Sequence, residues 1–170
     1  KKLEFSGKLP KGINIMNPFK GNKRILDITS KFYNTFYNDN NERFIILGIN
    51  PGRHGAGVTG IPFTDTKRIN NECGIEFTDF VSHEPSSVFV YEVIKAYGGA
   101  VKFYSKFYIT SLCPLGFTIK KDTGREVNYK YYDSRELTAA VYDFIIESTK
   151  KQIKIGVSRE VCYCFGTGKN

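Results

Sequence analysis

One segment constrains this chain more than any other: Leu47-Gly48-Ile49-Asn50-Pro51-Gly52-Arg53-His54-Gly55-Ala56-Gly57-Val58-Thr59-Gly60-Ile61-Pro62-Phe63. An apolar run, Phe44 to Ile49, enters an Asn-Pro-Gly turn and then a loop with three further glycines. A short continuous apolar run bounded by turn residues is the pattern of a strand buried on both faces of a sheet. The loop that follows has little to give a core. Its glycines let backbone come close to a neighbour, and it ends on an aromatic ring, Phe63, held by the proline before it.

The remaining periodicity builds around that strand. Residues 1–22 are rich in Gly, Pro, Asn and Lys and read as an irregular arm. Asn22 is placed to cap a helix over about 23–38, with Ile25, Ile28, Phe32 and Phe36 on one face. Residues 64–84 read as polar and irregular. Ser86 or Ser87 would cap the next helix, whose inner face is Val90, Val93, Ile94 and Tyr97, and Gly98-Gly99 would end it. Phe107 to Leu112 reads as a second strand stopped by Pro114, followed by a long loop over 115–133. Asp133 with Glu136 forms a candidate capping box for a helix over about 134–152, where Leu137, Val141, Phe144, Ile145 and Ser148 keep helical spacing. Val161 to Phe165 reads as a third strand with Gly166-Thr167-Gly168 as its exit.

Strand and helix alternate, which predicts an α/β fold with a parallel sheet and helices on both faces. Ligands of such sheets bind where loops leave the carboxyl ends of the strands. Three strand ends carry distinctive chemistry, Asn50-Pro51-Gly52, Ser111-Leu112-Cys113-Pro114 and Gly166-Thr167-Gly168, and converging on one rim they would make one site. Composition fits a single domain spanning 1–170: the chain has 170 residues, 41% of them hydrophobic. No run of about 18 apolar residues is present to span a membrane. The N-terminus has neither an initiator Met nor the apolar core of a signal peptide.

A net charge of +8 favours a polyanionic partner, nucleic acid before an anionic membrane, and equally fits a merely basic protein. The four cysteines include no C-x-x-C pair, and there are only two histidines, which argues against zinc or an iron–sulfur cluster. Reduced, mostly buried thiols in a bacterial cytoplasmic, nucleoid-associated protein are the expectation. Cys162 and Cys164 would share one face of their strand.

Asn50 projects from a strand end with both a donor and an acceptor, so it can hold a water and a substrate together. Alone, an Asn-Pro-Gly reads as readily as a turn cap. The full pattern goes further. Gly48 to Gly52 followed by Thr59 to Phe63 resembles the first motif of the uracil-DNA glycosylase superfamily. It is most similar to the single-strand-selective monofunctional branch and its bacterial relatives. The strand and turn Phe107 to Leu115, ending in Cys-Pro-Leu, resembles a second family feature.

The resemblance implies a three-layer α/β/α sandwich around a mainly parallel four-stranded sheet. It also implies a monofunctional enzyme without metal or cofactor that excises uracil from DNA. Asn50 then matches the residue that positions water, Phe63 the ring that stacks on a flipped base, Ile49 a backbone contact to the base, and Gly52 a neighbour of the pocket. Ser111 stands where eukaryotic members carry an Asn that reads the uracil edge. A hydroxyl in place of an amide opens the pocket to xanthine or hypoxanthine. Lys120, Lys121 and Lys130, set among tyrosines after the Cys-Pro-Leu turn, match a DNA-contacting loop and equally suit a solvated one.

The family's later His-Pro motif, after a fourth strand, is not in this sequence. The expectation is therefore a chain truncated at both ends, with an open sheet edge and impaired catalysis. Among acids, only Asp65 falls near the motif, and His54 reads as an exposed loop residue.

The expected partner is single-stranded or mismatched, uracil-containing DNA, bound by a monomer without membrane contact. A catalytically weak nucleic-acid binding module is the alternative. A small-molecule α/β domain ranks last, because no G-x-G-x-x-G opens directly on a helix.

Overall fold

The computed structural model describes residues 3–165. Its centre is a parallel sheet ordered β3-β2-β6, formed by β2 (Arg43–Gly48), β3 (Phe107–Ser111) and β6 (Val157–Cys164). The register aligns Gly48 with Ser111 and Leu47 with Cys164, so all three strands end at the same rim. The sheet is parallel and flanked by helices on both faces, as the alternation of elements predicts.

One face packs on α1 (Lys23–Phe36), α4 (Pro85–Tyr97) and α5 (Ala100–Tyr104). Asn22 caps α1, its Oδ1 accepting from Ile25 N at 3.1 Å. Ile25, Ile28, Phe32 and Phe36 are all buried, joining Ile46, Ile94, Phe103, Tyr104 and Ile109 in one core. On the other face lies α6 (Arg135–Ile153), whose Thr149 and Ile153 share a cavity with Ile45 and Leu47. No helix among the described residues is long and apolar enough to cross a membrane.

The largest departure from the sequence reading is a second sheet. β1 (Ile13–Met16), β4 (Gly116–Lys120) and β5 (Glu126–Tyr129) pair antiparallel in the order β1-β4-β5. Neither the N-terminal arm nor the 115–133 stretch is therefore a plain loop. Pairing between Ile13 and Ile119 spans more than 100 residues and leaves no local signature. It buries Phe117 completely against Leu115, Leu137 and Val141 in a second core.

Several boundaries shift for identifiable reasons. α3 (Thr66–Asn71) interrupts the supposed irregular stretch, capped by Asp65, whose carboxylate accepts from Arg68 N at 3.1 Å. α4 starts at Pro85 with Glu84 as its N-cap, not at Ser86 or Ser87, because proline suits the first helical position. Its buried face is Ser87, Val90, Tyr91 and Ile94; Tyr97 is exposed. α6 is capped by Ser134, whose Oγ accepts from Leu137 N, while Asp133 accepts from Lys130 N in the preceding turn. β3 stops at Ser111, and β6 begins four residues earlier than expected. Cys73 and Cys113 are buried thiols, but Cys162 and Cys164 are exposed, since β6 is the outer strand of the described sheet. Gly166-Thr167-Gly168 lies outside the described residues.

Arg43 fastens the layers where β2 begins. Its side chain is buried, and its guanidinium grips both oxygens of Asp39 at 2.7 and 2.8 Å. It also donates to the carbonyls of Tyr104 (2.6 Å), Asn41 (3.0 Å) and Phe36 (3.2 Å), which joins α5, β2 and the end of α1. The same hydrogen bonds from Arg43 draw the Asp39 carboxyl down to about 2. Arg43→Ala strips donors from buried carbonyls and is expected to cost about 3 kcal/mol of unfolding free energy, measured by urea denaturation.

Candidate active site

The signature segment is folded largely by its own hydrogen bonds. Past the end of β2, Gly55 and Gly57 donate their backbone N–H to the Gly52 carbonyl at 3.2 and 2.9 Å. That closes the turn into α2 (Ala56–Thr59). Gly60 then reverses the chain at φ 74°, where a Cβ would strike Phe19 and Thr29. Thr59 Oγ1 accepts from Ile61 N and donates to the Thr64 carbonyl at 2.7 Å, clamping the turn that carries Phe63. Phe63 itself sits at φ 52°, and it is the only non-glycine with positive φ among the described residues.

The glycines serve a purpose different from open access to a ligand. A Cβ on Gly48 would lie 2.7 Å from the Phe63 ring, so Gly48 is the seat on which that ring rests at the sheet's rim. A Cβ on Gly57 would lie 2.6 Å from the Gly52 carbonyl. One on Gly55 would fall 1.5 Å from a carboxyl oxygen of Glu84. Most of the space these glycines leave is filled by the protein itself.

Ile49, Asn50, Gly52, Phe63, Ser111 and Lys130 line a single cavity of about 290 Å³, together with Glu84, Ser86, Asn128, Tyr129 and Phe165. The ends of β2 and β3 supply its floor, and the segment after β5 supplies a wall. The Asn50 amide is fixed across that gap. Its Nδ2 donates to the carbonyls of Pro51 (3.3 Å) and Tyr129 (3.4 Å), and its Oδ1 accepts from Tyr131 N at 3.3 Å. An amide oxygen accepts two hydrogen bonds, so one lone pair of Oδ1 is left for a further donor. Ile49 is tied through its carbonyl to Cys113 N at 3.0 Å. Ser111 is buried, with its carbonyl accepting from Gln152 Nε2 at 3.2 Å. The Phe63 ring meets Phe165 edge-on, with centroids 6.1 Å apart.

Lys120 and Lys121 do not reach this cavity. They sit at the turn of the β4–β5 hairpin, closed by Gly124 N donating to the Lys121 carbonyl, while the opposite end of the hairpin meets the site. His54 is exposed, and its Nε2 accepts from Arg53 Nε at 3.0 Å. Among the described residues, no cluster of His, Cys, Asp or Glu could hold a metal ion.

Within the site, the acids depart most from the sequence reading. Asp65 does not face the cavity. It is fully buried, accepting from Glu84 N (3.0 Å), Ser87 Oγ (2.7 Å) and Arg68 N, and pairing with Arg68 Nη1 at 3.2 Å. Burial works against its charge, but those donors outweigh it and hold the carboxyl below its ordinary range. The acid at the cavity is Glu84, held there by the Asp65 bond to its backbone. Burial raises the Glu84 carboxyl above its ordinary value of 4.5, a Ser86 hydrogen bond opposes the shift, and the Asp65 charge adds to it. Its Oε2 is buried without a hydrogen-bond partner. Glu84 lies 34 residues from Asn50, and the one clue in the sequence was Pro85, which makes the residue before it a helix cap.

The comparisons with known proteins give the family. The family model described as the uracil DNA glycosylase superfamily matches residues 35–169. The chain belongs to that superfamily. It is similar to the solved structure of wild-type SMUG2 from Pedobacter heparinus, at 55% sequence identity and a TM-score of 0.93, over 98% of this chain and 72% of that one. Among curated proteins, none matches. The superfamily assignment makes this a DNA glycosylase-type repair protein that acts on DNA.

A raised Glu84 means that the folded state holds that proton more tightly than the unfolded chain. The stability it contributes is complete below the ordinary value of 4.5 and is lost as pH rises through its folded value. Glu84→Gln, which removes the charge, is therefore expected to melt above the wild type at pH 8. The gap should close at pH 4, as followed by circular dichroism.

Proposed function

We propose that this glycosylase is monofunctional and hydrolyses the N-glycosidic bond of uracil flipped out of DNA, with xanthine or hypoxanthine as further substrates. The observation that carries the reading is the convergence of Asn50, Phe63 and Ser111 on one cavity at the carboxyl rim of β2 and β3. A base inside a duplex is out of reach, so it must swing into such a pocket. Phe63 offers the flat face on which it would stack. The free lone pair of Asn50 Oδ1 would accept a hydrogen bond from the attacking water and so point the water oxygen at the sugar. Ser111 would meet the base edge with a hydroxyl that donates or accepts, which fits a pocket tolerant of several deaminated bases.

The substrate strand is proposed to be single-stranded or mismatched, since an unpaired base costs least to extrude. The enzyme would work as a monomer. Its net charge of +8 supports phosphate contact, with Lys130 at the cavity and Lys120 and Lys121 at the hairpin turn reaching along the strand.

Single-turnover release of uracil from a labelled oligonucleotide tests this. Wild-type full-length protein is expected to release it, and Asn50→Ala to lose about 10²–10³-fold in rate while still binding DNA. DNA binding without release of any of the three bases would identify a binding module instead.

A further inference from the structure

Hydrolysis at the sugar needs an acceptor for the proton of the attacking water, and Asn50 cannot be that acceptor because an amide has no basic site. Among the described residues lining the cavity, Glu84 is the only carboxyl group. Its position is built rather than incidental. The Asp65 carboxylate anchors its backbone at 3.0 Å, the Pro85 ring starts α4 directly after it, and the side chain lies over the Gly52–Gly55 turn. One of its oxygens comes within 3.4 Å of where a Gly52 Cβ would stand, in the turn that begins at Asn50. The other is buried and has no hydrogen-bond partner. A buried polar atom in that state calls for an explanation, and a catalytic role is one.

From this placement we infer that Glu84 accepts the proton of the water that Asn50 aligns. This rests on the glycosylase reading above. In the step, the bond between C1′ and the base nitrogen breaks and its electron pair leaves with the base. A water lone pair forms the new bond to C1′. One water proton passes to the Glu84 carboxylate, and from there to the departed base or to solvent. Glu84 is then regenerated, and no other reactant is needed.

The surroundings suit that role. Glu84 faces Ser86 on its own helix and the Gly52–Gly55 backbone, while Asn128, Tyr129 and Lys130 form the far wall. The nearest like charge is Asp65, itself neutralised by Arg68 with His83 at 3.6 Å. A carboxyl pushed upward by burial is a stronger base than a free one, and it titrates closer to working pH.

The test compares wild-type full-length protein with Glu84→Gln on a single-stranded uracil oligonucleotide, across pH 4 to 9. Wild-type release is expected to fall on the acid side as Glu84 takes up a proton. Glu84→Gln should run about 10²-fold slower or worse and lose that acid limb. It should keep wild-type affinity for an uncleavable 2′-fluoro uracil strand and a wild-type or higher melting temperature. Wild-type release with an unchanged Glu84→Gln rate and pH profile overturns this inference alone. So does a Glu84→Gln defect confined to affinity, which would make Glu84 a contact to the base. Absence of release by the wild type, on uracil, xanthine and hypoxanthine alike, overturns this inference and the reading beneath it.

Discussion

A single buried charge organises the site. Asp65 has no exposed surface, yet its carboxylate stays ionised because Arg68 N, Glu84 N, Ser87 Oγ and the Arg68 guanidinium all point at it. Removing any one of these donors leaves charge in a low-dielectric interior, where it is costly. The carboxylate thus ties two pieces together: the start of α3 and the start of α4. The cavity carboxyl of Glu84 is placed by that anchor, while the Phe63 ring two residues before Asp65 is seated by Thr59 and Gly48.

The rest of the pocket follows from the sheet. Parallel strands with aligned ends put Gly48 beside Ser111, so the chain leaving β2 and the chain leaving β3 open onto the same space. Asn50 is locked by the backbone of Tyr129 and Tyr131, which makes the antiparallel β1-β4-β5 sheet a working part of the site. A pocket assembled from rigid strand ends, with its amide already oriented, fits catalysis by positioning and electrostatics.

The sequence made some of this plain and hid the rest, for physical reasons. α1 was readable because Asn22 and four apolar residues at helical spacing leave few alternatives, and β2 and β3 because continuous apolar runs suit buried strands. Asn50 and Ser111 stand at the ends of those strands, and Phe63 was readable through the resemblance of its segment to the family's first motif. The antiparallel sheet was hidden, since Phe117 is buried only through pairing with a strand 100 residues earlier. Glu84 was hidden because its importance comes from a tertiary contact with Asp65 and from space left by Gly55. The exposed pair Cys162 and Cys164 was misjudged because alternation in a strand does not reveal which strand lies outermost.

The central claim is that the rim of β2 is the seat of the base-stacking ring. Gly48 tests it without touching any substrate. A methyl group there would lie 2.7 Å from the Phe63 ring and must displace it. The decisive measurement is uracil release from a single-stranded oligonucleotide by full-length Gly48→Ala protein, with its melting temperature followed in parallel. The account predicts a folded variant whose release rate falls by at least about tenfold, since stacking of one base on one ring is worth about 1–3 kcal/mol. A folded Gly48→Ala protein that releases uracil at the wild-type rate would contradict it.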